Sequence, residues 1–337
     1  MLPIVDSNLR PEALIEHVLP AYRLGAISRC RLHTRGINDT FRIETADEVF
    51  FLRVYRHGWR NREEIDTELA LLRHLITRGA PVSAPLARTD GATLTPLDCA
   101  EGQRFAALFP AAPGREPDYE SYSEEAAAAY AVAAAAVHQA AESFPGPRLR
   151  PVLDLAELLE RPLRQVIAAI DHRPEDVAYL VTFGATLRGR VEREAGLACG
   201  FCHGDLHGAN AGTLDGVVTL YDFDCCGWGF RAYDLAVFPW AFALTSASPE
   251  RIEILGRAFL IEYLRHRPLG ESDIAAIPVF VAIRHIWLVG LHVSLGDRFG
   301  WDWMNDSYFD RQLKVLRDWE KNFLDRPARA WLPVPAT

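Results

Sequence analysis

Cys202-His203-Gly204-Asp205-Leu206-His207-Gly208-Ala209-Asn210 is followed, twelve residues after its Asn, by Asp222 in Leu220-Tyr221-Asp222-Phe223-Asp224. This spacing predicts a loop and a hairpin that gather Asp205, Asn210 and Asp222 into one local unit. An Asp, an Asn five residues on and a second Asp across a hairpin are what phosphoryl transfer from ATP requires. One carboxylate orients the acceptor hydroxyl, while the amide and the second carboxylate hold magnesium over the phosphates. Asp205 is the candidate that accepts or orients the hydroxyl proton. Asn210 and Asp222 offer the hard oxygen donors that Mg2+ takes. His203, two residues before Asp205, is expected to brace the loop by bonding to backbone. Taken singly, HGD reads as a turn and Asp222 as a loop cap; the joint spacing carries the chemistry.

Upstream of this stretch the pattern is strand-rich. Pro11 to Leu24 reads as an amphipathic helix with Pro in its first turn. Strands are expected over 27–33, 40–45 and 48–56, the last with Phe51, Arg53 and Tyr55 on one face. Between the first two lies Thr34-Arg35-Gly36-Ile37-Asn38-Asp39, a turn with a flexible Gly. Ile65, Leu69, Leu72 and Ile76 give 61–78 a helical period that Gly79 ends. Arg53 and Glu68, in that strand and that helix, supply a candidate phosphate clamp. Short strands follow at 92–97 and 104–109, then the breaker cluster Pro110-Ala111-Ala112-Pro113-Gly114. Beyond it the chain reads as helices over 123–141, 153–170, 174–195, 233–244, 249–266, 272–295 and 307–324, interrupted by short strands and loops over 200–220. The expected organisation is α+β with two lobes around a cleft, residues 1–110 and 111–337.

The 337 residues carry 49% hydrophobic side chains, ample for a core of that size. A net charge of -9 argues against nucleic acid or an anionic membrane as partner and is compatible with a cationic or polar metabolite. No apolar run is expected to reach membrane-spanning length, and MLPIVDSNLRPEAL lacks the layout of a secretory signal. The expected compartment is the cytoplasm. Cys199-x-x-Cys202 with Cys225-Cys226 can be drawn as a zinc site, but the adjacent pair does not repeat the C-x-x-C knuckle, and buried free thiols are the better reading.

His203-Gly204-Asp205-Leu206-His207 with Asn210, then Asp222-Phe223-Asp224, then Tyr233-Asp234-Leu235-Ala236 resemble the catalytic loop, metal-binding segment and following helix start of the aminoglycoside phosphotransferase-like family. Ala135-Ala136-Val137-His138 echoes the family's Leu-Ala-x-Leu-His helix end. The resemblance is specific over residues 200–240 and continuous but diffuse elsewhere. It implies a bilobal protein-kinase-like fold, with a small antiparallel-sheet N-lobe and a larger, mainly helical C-lobe. It implies ATP and Mg2+ as cofactors and Asp234 as a tether of the catalytic loop. Phe51-Leu52-Arg53-Val54-Tyr55-Arg56 resembles the strand bearing the phosphate-contacting cation, with Arg53 where many relatives have Lys. Arg keeps the charge and adds bidentate geometry. Glu68 lies where its ion-pair partner is expected. The phosphate loop is Gly-poor here, reduced to Gly36 with Asn38 and Thr40. Phe109 to Ala112, with Phe109 and Ala111 as candidate adenine contacts, is the expected hinge.

On the acceptor side, His207, Asp224 and Arg284 are candidates for substrate contact or for support of the residues that make it. Arg284 sits in an otherwise apolar helix, where an unpaired charge is costly. Two readings stay open for it: contact with a substrate carboxylate, or a pair with a buried Asp such as Asp234. Asp302, Asp306 and Asp310 share one helical face, but Ser307-x-x-Asp310 resembles a capping box that puts the first two outside the helix. The leading functional expectation is transfer of the γ-phosphate to a hydroxyl of a small molecule: an amino alcohol, an aminoglycoside, or a hydroxy amino acid such as homoserine. The alternatives are a bacterial stress-response-type Ser/Thr protein kinase acting on a protein substrate, and a nucleotide-binding pseudokinase.

Overall fold

Alternation in the first hundred residues builds one antiparallel sheet. The computed structural model describes residues 2–324. Among these the chain forms two compact units, one running to Pro113 and including Phe144–Leu149, the other comprising Gly114–Ser143 and the chain from Arg150 onward.

In the first unit, β1 (Arg29–Arg35), β2 (Asp39–Glu44), β3 (Val49–Tyr55), β4 (Thr95–Cys99) and β5 (Gly102–Pro110) are ordered β1-β2-β3-β5-β4. Their period of two sends Phe41, Ile43, Phe50, Leu52, Val54, Ala106 and Leu108 to one face. There they pack with Leu14, Val18, Leu19 and Tyr22 from α1 (Pro11–His17) and the 3-10 turn after it. The expected helix through Leu24 thus stops at His17, because Pro20 lacks an N–H and disfavours helical backbone at Leu19. α2 (Arg62–Thr77) starts from a reciprocal cap, in which the Asn61 side chain accepts from Glu64 N–H and the Glu64 carboxylate from Asn61 N–H. Its inward face carries Ile65, Leu69, Leu72 and Glu68.

The second unit is mainly helical. α3 (Glu124–Glu142) is capped by Ser123. In place of one helix over 153–170 stand β6 (Val152–Leu153), a turn of π-helix, and α4 (Arg161–Ala169). α5 (Pro174–Arg193) leads to β7 (Cys199–Cys202), then β8 (Ala211–Leu214), β9 (Val217–Leu220) and β10 (Gly227–Phe230). β10 pairs antiparallel with β7 and parallel with β6, which draws Leu153 out of the helix expected there. α6 (Arg231–Ala243), α7 (Pro249–His266), α8 (Glu271–Ser294), α9 (Gly296–Phe299), α10 (Asp306–Trp319) and a turn of π-helix over Glu320–Leu324 complete the described chain.

Two further expectations are corrected here. α10 is capped by Asn305, whose side chain accepts from Tyr308 N–H, so Ser307 is already inside the helix. Asp306 and Asp310 instead pair with Arg173 at the start of α5. α8 reaches membrane-spanning length, with 24 residues and a window of mean hydropathy 2.0, of which 83% is buried in the protein. Arg284 and His285 lie within this run, and both are buried with the rest.

Candidate active site

The hairpin that follows the HGD loop is closed by Asp215-Gly216, both at positive φ (50° and 79°). That backbone is the tight turn whose twist matches its flanking strands. Leu214 then faces Val217 and Ala211 faces Leu220, so the next residues out, Asn210 and Tyr221, meet as well, with Tyr221 N–H donating to Asn210 C=O at 2.9 Å. Asp222 follows directly. A two-residue turn and a four-residue ladder therefore convert twelve residues of sequence into neighbours. Asp222 is exposed and takes a left-handed backbone (φ 62°, ψ 62°).

The loop itself is hung from α6. Asp234, wholly buried, accepts the N–H of His203 at 2.7 Å and of Gly204 at 2.8 Å, and bonds His138 Nε2 at 2.7 Å. Burial opposes the Asp234 charge, but the His138 bond and nearby His203 hold its carboxyl below the usual range. Burial also keeps His138 neutral, pushed down to about 4 with help from Arg231. Its Nδ1 lies 2.7 Å from the Tyr263 hydroxyl. At Gly204 (φ 81°) an added Cβ would lie 2.0 Å from the Cys225 carbonyl oxygen, so only glycine fits the turn into Asp205. His203 packs against Phe223, with ring centroids 4.2 Å apart and planes tilted by 37°, bonds the Tyr221 carbonyl through Nε2 at 3.0 Å, and accepts Asp205 N–H through Nδ1 at 3.3 Å. Burial lowers its pKa, so it braces the loop as a neutral ring.

Asp205 projects from this frame with 21% of its side chain exposed. Burial disfavours its charge, yet Arg284, then His207 and His203, hold the carboxyl well below the usual carboxylate range. Arg284 donates to Asp205 Oδ1 and, through Nη1, to Gly204 C=O at 3.3 Å and the Tyr233 hydroxyl at 3.4 Å. Of the two readings left open for Arg284, the pair with an Asp is seen, with Asp205 rather than Asp234, because Asp234 is already committed to the loop's N–H groups. The guanidinium lies over Trp240 at 4.6 Å and Trp287 at 4.4 Å, ring centroid distances at which cation–π attraction acts. His207 Nε2 is 3.3 Å from the same Asp205 oxygen. The Asn210 amide nitrogen lies 3.0 Å from Asp205 C=O and 3.3 Å from His207 Nε2. Asp224 is buried, and Arg150 donates to the backbone carbonyls of Asp224 and Cys226.

The loop has supports that the motif does not reveal. The Tyr130 hydroxyl donates to His207 C=O at 2.9 Å. The Tyr119 hydroxyl accepts Ala209 N–H at 3.2 Å, and burial pushes it up to about 12. Trp287 had a legible signal, lying three residues after Arg284 on one helix face. Trp240, Tyr119 and Tyr130 arrive from other elements and had none.

In the first unit, Arg53 Nη1 donates to Glu68 Oε1 at 2.8 Å, both residues being buried. The Arg53 guanidinium also lies 5.2 Å from the Phe109 ring. Asn38 turns its amide oxygen back to Arg56 N–H at 3.0 Å, and Gly36 N–H bonds Asn38 C=O at 3.0 Å, closing the β1–β2 turn on itself. Ala111 N–H donates to Val49 C=O at 3.0 Å.

A family model described as the phosphotransferase enzyme family matches residues 30–269. Over 321 residues the chain is 42% identical to an uncharacterized protein of Deinococcus radiodurans, covering 95% of this chain and 92% of that one. Over 287 residues it is 29% identical to the homoserine kinase of Xanthobacter autotrophicus, covering 81% and 82%. A solved amicoumacin kinase, in complex with AMP-PNP, Ca2+ and Ami, has a like fold at 17% identity, with a TM-score of 0.75 and 93% of each chain covered. With the kinase-like architecture in both units and a family match over most of its length, the chain belongs to the phosphotransferase enzyme family.

Proposed function

We propose that this protein is an ATP- and magnesium-dependent kinase that moves the γ-phosphate to a hydroxyl of a small molecule, acting in the cytoplasm. The observation that carries the reading is the β8–β9 register, which joins Tyr221 N–H to Asn210 C=O one residue before Asp222, on the same loop that carries Asp205. Asp205 orients the acceptor hydroxyl and receives its proton as the bond to phosphorus forms. The donor set fits a hard cation. Asn210 turns its amide nitrogen to Asp205 C=O and His207, which leaves the amide oxygen as its metal-facing atom, and Asp222 offers an exposed carboxylate. Mg2+ held by these two residues supplies positive charge that offsets the phosphate oxygens. Arg53, steadied by Glu68, contacts phosphate, with Gly36 and Asn38 in the turn beside it and Phe109 and Ala111 at the adenine hinge.

For the acceptor, the homoserine kinase relative supports a hydroxy amino acid, and the amicoumacin kinase likeness keeps amino-bearing alcohols in view. A protein substrate is less well supported, because only a 3-10 turn and β10 separate Asp222 from α6, leaving no long segment to dock a polypeptide. The test is an ADP-release screen over homoserine, choline, aminopropanol, methylthioribose and aminoglycosides. Asp205→Asn is expected to lower turnover by about a hundredfold to ten-thousandfold. Turnover that survives this change would remove Asp205 from the reaction.

A further inference from the structure

Arg284 is buried in an apolar helix, a place where an uncompensated cation is costly, and its Nε makes no hydrogen bond among the described residues, so the compensation comes from the rest of the guanidinium. Its compensation is specific. Two indole rings lie against the guanidinium, and its donors go to Asp205 Oδ1, Gly204 C=O and the Tyr233 hydroxyl. The contacts grip the candidate catalytic carboxylate and the peptide that precedes it. His207 Nε2 is directed to the same carboxylate oxygen.

Resting on the kinase reading above, we propose that Arg284 is the positioning residue of the transfer step. It is a tethered cation, seated between Trp240 and Trp287, that fixes the Asp205 rotamer by taking Oδ1 and so presents Oδ2 to the acceptor hydroxyl. Two effects follow from the geometry. A carboxylate held at one oxygen and at the neighbouring carbonyl loses the freedom to swing about its Cα–Cβ bond, and orientation of this kind contributes directly to rate. The aromatic seat beside Asp205 is also already filled. Aromatic faces gathered round a cation are the arrangement that recognises quaternary ammonium groups. Here the protein supplies the cation itself, so an acceptor's ammonium group takes another place.

The experiment uses the full chain with Arg284→Ala, Arg284→Lys and Arg284→Met, each checked for native circular dichroism. ADP release is followed with the best acceptor from the hydroxyl screen. Arg284→Ala and Arg284→Met are expected to lose about a hundredfold in kcat, the scale of a lost preorganised contact, with KM for ATP little changed. Arg284→Lys, which keeps the charge but not the fork, is expected to fall between them and the parent. Millimolar guanidinium is expected to restore Arg284→Ala saturably, whereas urea, of the same shape without charge, is not. Tryptophan fluorescence gives a readout independent of turnover: tetramethylammonium should quench Arg284→Ala saturably and leave the parent protein unchanged.

Parent-like kcat in Arg284→Met, or equal rescue by urea and guanidinium, would overturn the proposal, since either means that the side chain only fills space. Saturable quenching of the parent by tetramethylammonium would overturn the filled seat. If the Ala variant fails to fold, the Met variant, of similar reach and apolar, still decides the kcat question. If the parent transfers phosphate to no hydroxyl, the kinase reading fails on its own account, and the fluorescence titration still reports whether Arg284 occupies the seat.

Discussion

Asp222 adopts a left-handed backbone that costs a side-chain-bearing residue about 1–2 kcal/mol. Glycine would relieve that strain at some entropic cost in the unfolded chain. Asp222→Gly is therefore expected to leave the melting temperature level or higher while ADP release is lost, and thermal unfolding alongside turnover checks both halves. A clear drop in stability would mean that the carboxylate is kept for the fold. Arg53 gives the opposite sign. Its partner Glu68 has no exposed surface, so Arg53→Met breaks a buried ion pair and should cost about 3–5 kcal/mol in urea unfolding. Arg53→Lys is expected to retain much of this. At this scale the sequence was legible where geometry is set by local spacing, as in the loop and hairpin that carry Asp205, Asn210 and Asp222. Arg284 was legible only as a charge in need of a partner. Its actual partner is set by how α8 meets the loop, and Asp234, the example offered for it, is claimed by the loop's own N–H groups.

Among the elements, the β8–β9 hairpin was readable because Asp-Gly at its turn dictates the register. The short strand β6 was not, since two residues are recruited by pairing with β10 and carry no period of their own. α8 was readable as a helix, and its buried His285 makes a test of pH. Burial pushes His285 down to about 4 from an ordinary 6.5, despite its bond to Gln312 C=O. The unfolded chain therefore binds the extra proton first as pH falls. Stability is full above about pH 6.5 and declines toward pH 4, by up to about 3 kcal/mol from this residue. Neutral His138 in α3 adds in the same direction. Urea midpoints at pH 7.5 and pH 5 should differ accordingly, and His285→Gln should narrow the gap. An unchanged gap in that variant would assign the acid sensitivity elsewhere.

Across the whole molecule, the change from strand to helix at the Pro-rich cluster was plain, because periodicity switches there from two to near four. Less plain was that Phe144–Leu149, after α3, belongs with the first unit; no local pattern marks it. Nor did composition reveal how α8 is covered. Ile286 and Val289 of α8 line a small apolar space with Phe309, Leu313 and Leu316 of α10, and Trp319 Nε1 donates to Pro278 C=O at 2.8 Å. A chain cut after Gly300 loses that cover and is expected to enter the insoluble fraction, which centrifugation and soluble yield would show. The order of synthesis gives this arrangement a temporal side. Glu271–Ser294 leaves the ribosome before Asp306–Trp319, so for that interval the nascent chain displays a segment with the length and hydropathy of a membrane span and only part of its shelter. Translation speed through the last stretch, and chaperone occupancy while it lasts, then bear on how much active protein a cell obtains.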